Sequence, residues 1–305
     1  MKIAEIAADV MDQTSRPSAY WVEAEDGIRL RLGIWEAAKA KGTILLFPGR
    51  TEYIEKLCST AVAFGKQGYN TLIVDWRGQG LSDRLTTNRL ASHVDRFSDY
   101  QFDVRAMLTA AEAMSLPKPW FLFAHSMGAL IGLRALLDDL PVSACAFTGA
   151  MWGIPLPPAE RPVAGLLTGA FRVLGAGHVF APGNKAQQSR CYVESVPFDG
   201  NRLTRDAERF EYMLQQARDL RDHQTGAPTM AWVSEAMKEC SRLKACASPA
   251  QPCVTFIGEK DRVVDHVAIQ DRMKRWPSGS LVEIEGARHD LLSETDDVRS
   301  RVIAE

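Results

Sequence analysis

The chain has 305 residues, 46% hydrophobic and 24% charged, enough apolar material to bury a large core without disulfide or metal staples. A net charge of -2, with no run of Lys or Arg, excludes a protein that grips nucleic acid through backbone phosphates. The six cysteines, Cys58, Cys145, Cys191, Cys240, Cys246 and Cys253, include no C-x-x-C pair and read as reduced, mostly buried thiols, so cytoplasm is the default compartment.

Residues 1–17 carry Glu5, Asp9 and Asp12 and no continuous apolar stretch, a poor fit to a signal peptide. A β-hairpin follows, with strands over residues 20–24 and 28–35 flanking Asp26-Gly27, and with Ile28, Leu30, Leu32 and Ile34 alternating with other residues. Short apolar runs then recur at 43–47, 71–74, 120–124, 144–148, 253–257 and 280–284. Helical spacing fills most of the gaps, as over 102–114 and 127–140, where Leu130, Leu133, Leu137 and Leu140 form one stripe. Continuous apolar strands alternating with helices predict an α/β fold with a parallel sheet covered on both faces. The alternation breaks over 151–234, first rich in Pro and Gly and then polar and helical, which reads as a cap inserted into a core formed by 1–150 and 235–305. Within it the apolar stretch 163–180 contains four glycines, Arg172 and His178, so it does not read as a spanning helix. It fits equally a segment lying across a site or on a lipid surface, or an ordinary buried helical hairpin.

The chemistry concentrates at strand ends. Ala124-His125-Ser126-Met127-Gly128 joins the strand 120–124 to a helix, with small residues two positions either side of the serine, as a sharp strand-to-helix turn requires. Such a turn lifts the Ser126 hydroxyl to the carboxyl edge of the sheet as a nucleophile and leaves the Met127 amide free for an oxyanion. The alternative is a serine that only caps the helix. A serine needs a base to take its proton. Of the six histidines, His289 follows a strand and lies at that same edge, so it is the expected base, its alternative being a cap of the helix near Glu294. Asp261, after the strand 253–257, is the expected acid that orients it; Asp265 and Glu259 are rivals, and Asp261 could instead cap the next helix. The second oxyanion donor is the amide of Arg50 in the loop Pro48-Gly49-Arg50-Thr51-Glu52, where Gly49 lets the backbone approach a substrate. The loop from Asp75 to Asp83 reads as structural, shaping the site.

Taken in order, these motifs resemble the α/β-hydrolase superfamily, specifically its monoacylglycerol lipase and lysophospholipase branch, over residues 28–292. In that branch the oxyanion loop begins His-Gly with a Glu three residues after the Gly. Here Gly49 and Glu52 match, Pro48 replaces the histidine, and Ala124 and Ala129 stand at two glycine positions of the nucleophile turn. The resemblance implies a mostly parallel eight-stranded sheet with helices on both faces and an inserted helical cap. It also implies a serine esterase acting on a single-chain lipid ester through an acyl-enzyme, with no metal or organic cofactor. On that reading Trp152, Phe171 and Phe180 of the cap line an acyl tunnel or rest on membrane lipid. Another acyl hydrolase on the same triad, such as a thioesterase or aminopeptidase, and a non-catalytic binding member of the fold are the alternatives.

Overall fold

The computed structural model describes residues 1–11, 17–155, 176–183 and 185–305. Its centre is one nine-stranded sheet, ordered β1-β2-β3-β5-β4-β6-β7-β8-β9. The strands are β1 (Lys2–Ile3), β2 (Ser18–Glu23), β3 (Arg29–Trp35), β4 (Thr43–Phe47), β5 (Asn70–Asp75), β6 (Trp120–His125), β7 (Cys145–Thr148), β8 (Cys253–Gly258) and β9 (Gly279–Ile284). β1 to β3 run antiparallel, β3 joins β5 antiparallel, and every pair from β5 to β9 is parallel. The expected count of eight strands is corrected to nine. The extra strand, β1, is two exposed residues at the sheet's edge, too short to show any periodicity.

The central strands read as continuous apolar runs because both sheet faces are covered. Alternate residues point to opposite sides. Leu45 and Phe47 of β4 enter the core under the helices Tyr100–Ala113 and Met127–Leu137, while Ile44 and Leu46 enter the opposite core under Cys58–Lys66 and Asp296–Ala304. Leu122 and Ala124 of β6 divide from Phe123 in the same way. The helix Met230–Lys244 belongs to the first core through Trp232, Ala236, Cys240 and Leu243, so the expected cap boundary at residue 234 falls inside a core-packed helix. Thr229, whose hydroxyl accepts the Trp232 N–H at 3.2 Å, marks where that helix starts.

A buried charge cluster fixes the loops above β3 and β5. The Arg31 guanidinium, fully buried, meets Asp75 at 2.8 Å and Glu55 at 2.7 Å. Asp75 also accepts the N–H groups of Ile54 and Leu81, each at 2.9 Å, so the loop following β5 is structural, as its glycines and charges suggested. His223 lies 3.3 Å from Glu55 and brings the turn Arg221–His223 onto the same cluster. Burial alone would raise the Glu55 carboxyl, but the His223 hydrogen bond and the Arg31 charge outweigh it and pull it down to about 2. A carboxylate depressed by folding contributes stability that is complete above its ordinary value of 4.5 and is lost as pH falls towards about 2. Denaturation midpoints should therefore drop through that interval. Glu55→Gln should lower stability at neutral pH by about 1–3 kcal/mol, since Arg31 keeps Asp75 as counter-charge but loses its second charged acceptor, and should flatten the acid dependence. An unchanged acid slope in the variant would count against this account.

Candidate active site

Ser126 stands between β6 and the helix Met127–Leu137 with φ 51° and ψ -115°, a conformation that L side chains rarely adopt. Three backbone bonds clamp it there. Its N–H donates to the Thr148 carbonyl at 3.0 Å, and its own carbonyl accepts from Ala129 at 3.0 Å and Met151 at 3.1 Å. The outgoing helix is pressed so close to β4 that a Cβ at Gly128 would sit 2.1 Å from the Phe47 carbonyl oxygen. That contact is the physical reason for the small residue two positions after the serine. The Ser126 side chain makes no capping bond to the helix.

The hydroxyl instead faces His289, Oγ to Nε2 at 2.9 Å. His289 Nδ1 lies 2.7 Å from Asp261 Oδ2, and Asp261 Oδ1 accepts the Val263 N–H at 2.7 Å. The sequence separations are 163 and 28 residues, and all three residues are buried. Burial pushes the Asp261 carboxyl upward, but the facing imidazole outweighs it and holds the group below its usual value. A carboxylate can only accept, so Nδ1 carries the proton and Nε2 offers its lone pair to the serine hydroxyl. The structure thus brings Ser126, His289 and Asp261 together, an array able to deprotonate an alcohol as it attacks a carbonyl. The rivals to Asp261 are engaged elsewhere. Asp265 caps the helix His266–Lys274 through the N–H groups of Val267 and Ala268, and Glu259 pairs with Lys260 and the Gly286 N–H.

Gly49 and Arg50 lie beside the serine, because Phe47 pairs with Ala124 across β4 and β6. A Cβ at Gly49 would come within 3.2 Å of the Ser126 Cβ, so only glycine leaves the space between loop and nucleophile open. Among the described residues, neither the Arg50 N–H nor the Met127 N–H has a protein acceptor. Gln79 braces this loop by accepting the Thr51 N–H at 2.5 Å, where Thr51 has φ 70°. The Arg50 side chain reaches Ser92 at 3.1 Å and the Gly226 carbonyl at 2.7 Å, with its guanidinium 5.6 Å over the Trp232 ring. Burial pushes that guanidinium down to about 10.

The expected cap contacts divide. Trp152 is built into the core, its ring 6.0 Å from Trp276 in a stack and 5.1 Å from Phe147 edge-on, with its N–H on the Ala129 carbonyl at 3.1 Å. That packing makes it part of the core beneath the site. Phe180 is half-buried and bridges to Thr229, and Phe171 lies outside the described residues.

Sequence reasoning missed a buried network under the array. Glu52 accepts the Gly49 N–H at 2.5 Å on one oxygen and the Lys56 ammonium at 2.6 Å on the other, and Lys56 also meets Asp290 at 2.8 Å. Burial alone would raise the Asp290 carboxyl, but Lys56 holds it far below its usual value. Glu52 and Asp290 gather with His125 within 4.8 Å, the spacing of a metal site, but both carboxylates already face the ammonium. His125 lies with its ring 4.8 Å from that of His289 and its Nδ1 3.1 Å from the Thr148 carbonyl. Glu52 and Lys56 at a four-residue spacing were visible as a pair in the sequence; Asp290, 234 residues on, gave no sign.

Residues 38–296 match the family Hydrolase_4, described as serine aminopeptidase, S33. The chain is 31% identical to lysophospholipase L2 of Escherichia coli strain K12 over 288 residues, 90% of this chain and 82% of that one. It is 29% identical to a probable lysophospholipase L2 of Haemophilus influenzae over 262 residues, 85% and 80% of the two chains. A soluble variant of monoglyceride lipase from Saccharomyces cerevisiae shares the fold with a TM-score of 0.73 at 19% identity, covering 99% of this chain and 96% of that one.

Proposed function

The chain belongs to the Hydrolase_4 family, serine aminopeptidase S33, and on that premise we propose that it is a serine hydrolase cleaving carboxylic esters of single-chain lipids, a lysophospholipid or a monoacylglycerol. The observation that carries this reading is the contact of Ser126 Oγ with His289 Nε2 at 2.9 Å, continued to Asp261 at 2.7 Å. Ser126 attacks the ester carbonyl while His289 takes its proton, and the Arg50 and Met127 amides receive the oxyanion. His289, held as imidazolium against Asp261, then protonates the departing alcohol, and the acyl group stays on Ser126. Water, activated by the same imidazole, releases the fatty acid. Curated relatives named as lysophospholipases support the single-chain lipid as substrate.

The family's description raises a second reading, cleavage of an amino-terminal amide. Such a substrate brings an ammonium that asks for a carboxylate at the rim. Around the array, Asp261, Glu52 and Asp290 are already paired with His289 and Lys56, which favours the ester. We place the lipid-facing surface on the cap between β7 and the helix Met230–Lys244. Its apolar stretch 163–180 lies largely outside the described residues, and Val179 is exposed. No helix among the described residues is long and apolar enough to cross a membrane. A substrate panel tests the reading. Lysophospholipids and monoacylglycerols should be turned over with kcat/KM at least about 10²-fold above acetyl esters and aminoacyl amides, because each buried methylene adds to binding. Activity that falls as the acyl chain lengthens, or a preference for aminoacyl amides, would overturn it.

A further inference from the structure

We propose that Lys56 is a positioning residue whose ammonium ties the loop of the Arg50 amide to the loop of His289, setting oxyanion donor and base in register. The proposal rests on the roles given above to Ser126, His289 and Arg50. Two loops that bracket the serine leave different strands and share no ladder, so something must fix their separation. Lys56, on the turn Ile54–Leu57, does so from below, with its side chain only 13% exposed. On one side it meets Glu52, whose other oxygen takes the Gly49 N–H at 2.5 Å, one residue before the expected donor. On the other it meets Asp290, which follows His289 in the chain and donates its own N–H to the Leu203 carbonyl at 2.9 Å. Buried ion pairs fix geometry well when every partner is matched, and loosening one by an ångström is enough to cost turnover.

The charges around the base give this role a signature. Lys56 faces Glu52 and Asp290, with Tyr53 and Glu55 on its own turn. His289 faces Asp261, which His266 also approaches, and the ring of His125, which in turn feels Glu52, Asp290 and Lys56. Arg288, beside His289, donates its N–H to Glu294, which pairs with Arg205. Removing the ammonium leaves Glu52 and Asp290 as two uncompensated buried anions beside the His125–His289 ring pair, and removing Asp290 instead takes one anion away.

The experiment measures kcat and KM for a p-nitrophenyl acyl ester against pH in Lys56→Met, Asp290→Asn and Lys56→Arg. Lys56→Met should lower kcat about 10- to 100-fold with KM little changed and move the acid limb up by about half a pH unit or more. Asp290→Asn should lower kcat similarly and move the limb down, and Lys56→Arg should return it to the parent position. A residue that merely stabilised the fold would move neither limb. Limbs that stay put, or move the same way in the first two variants, overturn the proposal. If Lys56→Met does not fold, the direction of the Asp290→Asn limb decides alone. Fluorophosphonate labelling separates the two readings: protein that is not labelled at all refutes the serine-hydrolase assignment, whereas labelled variants with unmoved limbs refute only the role of Lys56.

Discussion

Ser126→Ala is expected to lower kcat on acyl esters by about 10⁴-fold or more and to abolish fluorophosphonate labelling, with the fold intact. Two features direct that loss to one oxygen. The hydroxyl lies 2.9 Å from the imidazole, and the carboxylate behind it is buried and engaged. Water could still be activated by His289, and the free amides of Arg50 and Met127 could still hold an oxyanion, so a residual rate above the uncatalysed one remains. Activity on p-nitrophenyl esters within about tenfold of the parent, in a purified and folded variant, would remove Ser126 from the mechanism.

Asp261→Asn should cost nearly as much, about 10⁴-fold in kcat, although it changes one atom of the side chain. The geometry dictates which way the new amide turns. The Val263 N–H, 2.7 Å from Oδ1, demands an acceptor there, so the amide oxygen stays and the NH2 group faces His289 Nδ1. The imidazole must then carry its proton on Nε2, pointing a donor at the serine it should deprotonate. The midpoint of thermal unfolding should barely move, since both hydrogen bonds persist with donor and acceptor exchanged at one of them. A variant that retained kcat within about tenfold of the parent would show that the carboxylate does not set the tautomer.

The central sheet was legible because its strands are covered on both faces, so each appears as an unbroken apolar run. β1 was not, since Lys2–Ile3 is an exposed edge pair with no pattern to carry it. Helix starts were easier to read than ends. The pattern predicted a helix over 127–140, but it stops at Leu137, with Asp139 turning to φ 62° while Leu140 still buries itself by chain reversal. The positions of Ser126, Asp261 and His289 could be inferred because each follows a strand in a parallel sheet, where the carboxyl ends gather on one edge. The surroundings of Trp152 were illegible for a related reason. An aromatic residue just past a strand end looks like a substrate contact, and its packing against Phe147 and Trp276 emerges only in three dimensions. The link from Lys56 to Asp290 stayed hidden because ion pairs between distant residues leave no periodic trace.

The backbone at position 126, with φ 51° and ψ -115°, is one that glycine occupies without penalty and a side-chain-bearing residue does not. The most relaxed sequence for this turn would therefore lack the one oxygen the reaction needs. Selection for heat resistance alone, with no demand for turnover, would tend to erase that hydroxyl first. The molecule's robustness and its chemistry pull against each other at a single Cα atom.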